Sequence, residues 1–133
     1  MDRTISVATE RRLDVLDVTD RVAERVPSAL AAGTCSVFVR HTTAGVLVNE
    51  PEPGLLEDLR EYYEHLVPET EYRHDAIDDN ADAHLRASIA GASVTVPVRD
   101  GGLALGTWQS ILLLECDGPR TREVVVTVTP AAE

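Results

Sequence analysis

Three of the four histidines, His41, His74 and His84, sit among small or polar neighbours in the runs RHTTAG, YRHD and DNADAHLR. Imidazole ligates metals and moves protons near neutral pH, so three such rings gathered by folding would make a site for either task. Taken singly, each fits an ordinary surface or capping histidine as well. His65 falls among acids in an amphipathic run and reads as a solvated side chain. The segment from His74 to His84, HDAIDDNADAH, holds two His, four Asp and one Asn. If a helix begins near Asn80, then Asn80 and His84 lie one turn apart on one face and could address the same ion or phosphate. Asp78, Asp79 and Asn80 could equally cap that helix and favour its positive end.

Arg40 precedes His41, Arg73 precedes His74, and Arg86 follows His84 by two positions. Guanidinium groups grip phosphate or carboxylate in bidentate fashion, which makes all three candidate anion binders; salt bridges to the many acids are the alternative for each. The stretch Asp100 to Gln109, DGGLALGTWQ, has glycines that would let backbone N–H groups approach an anion or simply close a tight hairpin. No GxxxxGK[ST] run is present, so nucleotide triphosphate binding is not expected, and no nucleophile elbow points to covalent hydrolysis.

The chain that must position these residues has 133 amino acids, 44% of them apolar, which suits one globular domain spanning 1–133. Its twelve basic residues are all Arg and face twenty-three acids, for a net charge of −11. Such a surface repels phosphate backbones and anionic headgroups, arguing against nucleic-acid or membrane-surface binding. Acid excess without Lys suggests adaptation to high salt; a high-GC genome explains the Arg preference but not the acids. No apolar run reaches the ~20 residues of a membrane span, and the start lacks a signal-peptide core, so a cytoplasmic location is expected. Cys35 and Cys116 lie alone in apolar segments and read as reduced core residues.

Alternation predicts strands over 4–9 and 13–17 joined by a tight turn at Glu10 and Arg11, then a helix capped by Thr19 that carries Val22, Ala23 and Val26 and closes by Gly33. Further strands are expected over 35–39, 46–48, 93–98, 110–115 and 123–129, with helices over 55–66 and from Asn80 to Ala90 ended by Gly91. Strand runs interrupted by about three helices, without βαβα alternation, indicate an α+β fold with a mixed, largely antiparallel sheet.

The blocks HTTAGVLVNE (41–50), YRHDAIDDNADAHLRASIAG (72–91) and VPVRDGGLALGTWQSILLLECDGPRTREVVVTV (96–128) together resemble the YjbQ-like family. That family consists of small uncharacterised proteins, some of them described as secondary thiamine-phosphate synthases. The resemblance implies a homotrimer with a polar pocket near a subunit interface, in which His41, His74 and His84 occupy motif positions alongside Asn49, Glu50, Asp79, Asn80 and Asp82. Residues and resemblance combined give these expectations: His41, His74 and His84 as catalytic groups; Arg40, Thr42, Asn49, Glu50, Arg73, Asn80 and Arg86 as binders of a small phosphorylated substrate; and His41, His74, His84 and Asp79 as ligands of a divalent metal, Zn, Mg or Mn. The implied reaction joins a hydroxymethylpyrimidine diphosphate to a thiazole phosphate with loss of diphosphate. The same residues would suit a metal-dependent hydrolase of a small phosphorylated metabolite, or a non-catalytic protein that holds a metal or an anion.

The charge excess carries its own test. Screening relieves repulsion, so the melting temperature should rise between ~0.1 M and ~2 M KCl; a flat or falling profile would remove the salt-adaptation reading.

Overall fold

The structure is a computed structural model that describes residues 2–132. The described residues form eight strands, β1 (Asp2–Ala8), β2 (Asp14–Asp17), β3 (Ala32–Val39), β4 (Ala44–Asn49), β5 (Ser93–Arg99), β6 (Gly102–Leu103), β7 (Ser110–Glu115) and β8 (Thr121–Pro130). Three α-helices, α1 (Thr19–Ala23), α2 (Pro53–Leu66) and α3 (Ala81–Ala90), and a 3-10 turn at Arg73–Ala76 complete them. One sheet runs β1-β8-β3-β5-β6 and the other β2-β7-β4, and every pairing is antiparallel.

The run Ile111 to Leu114 shows no alternation because β7 is buried on both faces. Ile111 and Leu113 pack toward the larger sheet, against Val37, Val39, Val124 and Val126. Leu112 and Leu114 point the other way, against Tyr63 of α2 and Ala83 and Ala87 of α3. The result is three layers, sheet on sheet on helices, with the small sheet in the middle. Small residues on α3 let it lie close to the sheet. At Gly45 in β4 that approach leaves no room for a side chain: an added Cβ would meet the Gly91 carbonyl at 2.7 Å and the Ala90 Cβ at 3.0 Å. Cys35 and Cys116 are free and buried, and burial pushes the Cys116 thiol up to about 12.

Two local expectations need correction. The strands β1 and β2 do not form a hairpin: β1 pairs with β8 and β2 with β7, so the chain crosses between sheets at residues 9–13. Alternation specifies which face of a strand is buried but not its partner, and the distant β8 supplies the longer ladder. The first helix stops at Ala23, with Val18 rather than Thr19 at its N-cap. The Thr19 hydroxyl is already engaged, donating to Asp17 Oδ1 at 2.6 Å and accepting the Ile111 N–H at 2.8 Å. At the other end of the larger sheet, Asp100 (φ 49°) and Gly101 (φ 76°) make the turn between β5 and β6, so the glycine-rich stretch begins as a hairpin.

Arg86 is the largest correction in the helical layer. It is 1% exposed, and it ties α3 to the end of α2 rather than facing an anion. Its Nε donates to the Tyr63 carbonyl at 2.9 Å and its Nη2 to the carbonyls of Val67 at 2.9 Å and Glu64 at 3.2 Å, satisfying acceptors that a helix C-terminus leaves open. Its Nη1 donates to Asp82 at 2.7 Å, while Arg12 grips the same carboxylate with bonds of 3.0 and 2.9 Å. Arg12, and then Arg86, hold the Asp82 carboxyl down at about 2. A depressed folded-state value stabilises the fold above the unfolded value near 4 and loses that stability as pH falls through about 2. Acidification from pH 4 to 2 should therefore cost the native chain about 2 kcal/mol at this residue, measured by denaturant melts, and the Asp82→Asn variant should show a correspondingly shallower acid slope. An unchanged slope would mean that the pair of arginines does not bias this carboxyl.

Candidate functional site

The site begins where β3 ends. The Arg40 N–H still donates to the Glu123 carbonyl of β8 at 3.2 Å, and then the chain turns through His41, Thr42 and Thr43 into β4 in the other sheet. This crossing is held from below by a buried ion pair. Glu115, at the end of β7, is fully buried, and Arg122 of β8 is 2% exposed. Arg122 Nε donates to both carboxylate oxygens of Glu115 at 2.9 and 3.1 Å, and its Nη2 donates to the Thr43 carbonyl at 3.1 Å and hydroxyl at 2.9 Å. The Thr9 hydroxyl donates to Glu115 Oε1 at 2.6 Å, and the Asp117 N–H donates to Oε2 at 3.0 Å. Burial opposes ionisation of Glu115, yet Arg122 and Thr9 outweigh it and hold the carboxyl below the usual range.

Above this pair lies a cleft of about 1110 Å³. One wall is the crossing from Phe38 to Thr43; the facing wall carries Asp78, Asn80 and His84; the segment from Asp117 to Arg122 forms the floor. The imidazole of His41 accepts a hydrogen bond at Nε2 from the Glu123 N–H, at 2.8 Å. Burial, reinforced by the positive charge of Arg122, lowers the pKa of His41 from its ordinary value. Asn80 opens α3 without capping it through its side chain; Nδ2 donates to Asp117 at 2.9 Å, and its buried Oδ1 meets no donor among the described residues. His84, one turn on, shares the cleft wall with Asn80, as helical spacing requires.

His74 stands behind His84. The two rings meet edge to face with centroids 4.7 Å apart, and the buried Nε2 of His74 has no partner among the described residues. Thus His41 and His84 share a cleft while His74 touches His84 from outside its lining. Arg40 and Thr42 also line the cleft, with Arg40 reaching Glu123 at 3.7 Å. The remaining expected residues lie elsewhere. Asn49 ends β4 and Glu50 follows it, the Asn49 side chain accepting the Glu50 N–H at 2.8 Å. Arg73 is exposed in the 3-10 turn, and Arg86 is buried as described above. Asp79 lines a separate cleft with Arg12, Glu69 and Asp82.

A metal centre built from His41, His74, His84 and Asp79 within one chain does not fit this placement. Among the described residues no group of three or more His, Cys, Asp or Glu is placed to hold an ion. What sequence reasoning missed is the floor residues Asp117, Arg120 and Arg122 and the buried partners that support them, Thr9, Thr43 and Glu115. One signal for them was present, since an acid closing the apolar run SILLLE must find a partner when the strand is buried.

Two antiparallel sheets backed by α2 and α3, with a polar cleft at the crossing between sheets, define an α+β protein of the architecture found in several solved structures. A protein from Sulfolobus solfataricus described as YbjQ-like and of unknown function is 40% identical, with a TM-score of 0.91 covering 98% of this chain and 97% of the other. A hypothetical protein from Aeropyrum pernix is 44% identical, with a TM-score of 0.92 covering 98% and 99%. The sequence model of the UPF0047 protein YjbQ-like family matches residues 3–131, and the chain belongs to that family. A UPF0047 protein of Archaeoglobus fulgidus is 51% identical over 92% of this chain and 96% of its own length; one of Methanothermobacter thermautotrophicus is 44% identical over 93% and 88%.

These findings correct the expected activity. The relatives are named only as UPF0047 proteins or as proteins of unknown function, and nothing among them points to thiamine-phosphate synthesis. Among the described residues the His41, His74, His84 and Asp79 ligand set expected for that chemistry is not gathered at one point either.

Removing one partner of the buried pair leaves the other charge uncompensated. Glu115→Gln should therefore destabilise the fold by about 3–5 kcal/mol in denaturant melts, whereas a loss below about 1 kcal/mol would show that the pair is effectively solvated.

Proposed function

We propose that the cleft between the His41 crossing and the start of α3 binds a small anionic molecule and moves a proton on it. The observation that carries this reading is two imidazoles, His41 and His84, facing one cleft whose lining also holds Arg40, Arg120 and Arg122. In a chain with net charge −11, three arginines against the two aspartates of the lining, Asp78 and Asp117, form a local exception. Arg122 is committed to Glu115, but Arg40 makes only a long contact at 3.7 Å. Arg120 uses Nε and Nη2 on Asp117, and no described residue engages its Nη1. A phosphate or carboxylate group suits these donors.

The assembly is proposed to be a homotrimer in the cytoplasm. Exposed apolar side chains at Phe38, Leu85, Ile89 and Trp108 support association, and two buried, unpaired cysteines suit a reducing compartment. Among the described residues no helix is long and apolar enough to cross a membrane.

Calorimetric titration of inorganic phosphate, with the mass in solution recorded by light scattering, tests the reading. Phosphate should bind the native chain, and His84→Ala or Arg120→Ala should each weaken it about tenfold without unfolding the protein. Equal affinity in both variants would remove the cleft as the anion site, and a mass near the 14.4 kDa of one chain would remove the trimer.

A further inference from the structure

A backbone N–H donates and does not titrate in the ordinary pH range, so its partner must offer a lone pair. The Glu123 N–H donates to Nε2 of His41 at 2.8 Å. The neutral ring therefore carries its proton on Nδ1. This bond belongs to the sheet. In a regular antiparallel pair Glu123 would exchange both backbone bonds with the residue opposite. Here its carbonyl takes the Arg40 N–H at 3.2 Å, but its N–H goes to the imidazole at the point where the chain leaves β3. The next residues of the crossing are fixed by Arg122, whose Nη2 holds both Thr43 oxygens. Protonating Nε2 would break the bond to Glu123 and place a second positive charge beside Arg122. Arg122 and Arg120 oppose that charge while Glu123 and Glu115 favour it, and burial decides against it.

His84 is held differently. It rises from α3, meets His74 edge to face, and no described residue engages either of its ring nitrogens.

We propose that His41 is locked as the neutral Nδ1–H tautomer and serves the cleft as a hydrogen-bond donor, so that His84 is the imidazole that takes up a proton from the ligand. The division of labour rests on the reading of the cleft as an anion site with proton transfer. In the step itself a ligand O–H, N–H or acidic C–H bond breaks, an N–H bond forms on His84, and the electron pair stays on the ligand. The negative charge that develops there is met by the His41 Nδ1–H, a fixed donor in a partly desolvated site. The proton leaves His84 to solvent or returns to the product.

Long-range proton–nitrogen correlation spectra of the full chain labelled at histidine nitrogens read the tautomer without any ligand. The His41 signals, identified by their loss in His41→Gln, should show a protonated Nδ1 and an unprotonated Nε2. An Nε2–H form, or an averaged mixture of the two, would overturn the proposal even if phosphate binds. A second reading uses shape: an Asn amide can stand where Nδ1 stood, and a Gln amide where Nε2 stood. His41→Asn should keep phosphate affinity within about threefold of native, and His41→Gln should lose about tenfold; the reverse order would also overturn the donor role. If phosphate fails to bind the native chain, the anion-site reading falls and takes the donor role with it, whatever tautomer the spectra show.

Discussion

The ion pair between Glu115 and Arg122 is the interaction on which the cleft depends. It joins the last residue of the central strand of one sheet to the start of β8 in the other, and Thr9 and Thr43 bring the two crossings between sheets to the same point. A carboxylate in the interior is tolerated only when its oxygens are filled, and here they receive Arg122, the Thr9 hydroxyl and the Asp117 N–H. Arg suits this task better than Lys because its planar fork can serve the carboxylate and the Thr43 oxygens at once. Hydrophobic area alone would have pressed the sheets together without fixing the height of the His41 crossing. The charged network sets that height, and with it the place where the imidazole meets the backbone of Glu123.

A second buried arginine does comparable work in the helical layer. Arg86 occupies carbonyls at the C-terminal end of α2 and, through Asp82, reaches Arg12 in the crossing before β2. Both networks end near the cleft: Asp82 lies one turn from Arg86 at the start of α3, where Asn80 and His84 look into it. The absence of Lys from the sequence thus has a structural counterpart, since the interior positions that need a cation need several directed donors from one side chain.

Much of this was legible in the residues. The strands over 35–39, 46–48, 93–98, 110–115 and 123–129 and the helices around 55–66 and 81–90 stand where periodicity puts them, because each buries one face or, for Ile111 to Leu114, both. Helical spacing was enough to align Asn80 with His84. What stayed hidden is pairing across long separations: β1 with β8, Thr9 with Glu115, His41 with Glu123. Period-2 alternation carries no information about partners, so the β1–β2 hairpin looked plausible and was wrong. Arg86 looked like an anion binder because it follows His84, yet on a helix two positions on means the opposite side, toward α2. Asn49, Glu50 and Asp79 share sequence blocks with the histidines but not their cleft.

The buried pair fixes the His41 crossing opposite His84 in one cleft. Backbone amide spectra recorded during a phosphate titration locate the bound anion directly. Shifts should concentrate at residues 40–43, 78–84 and 117–122, the three segments that wall the cleft. Shifts confined to the neighbourhood of Arg12, Glu69 and Asp79, or spread over the surface without a centre, would contradict that placement.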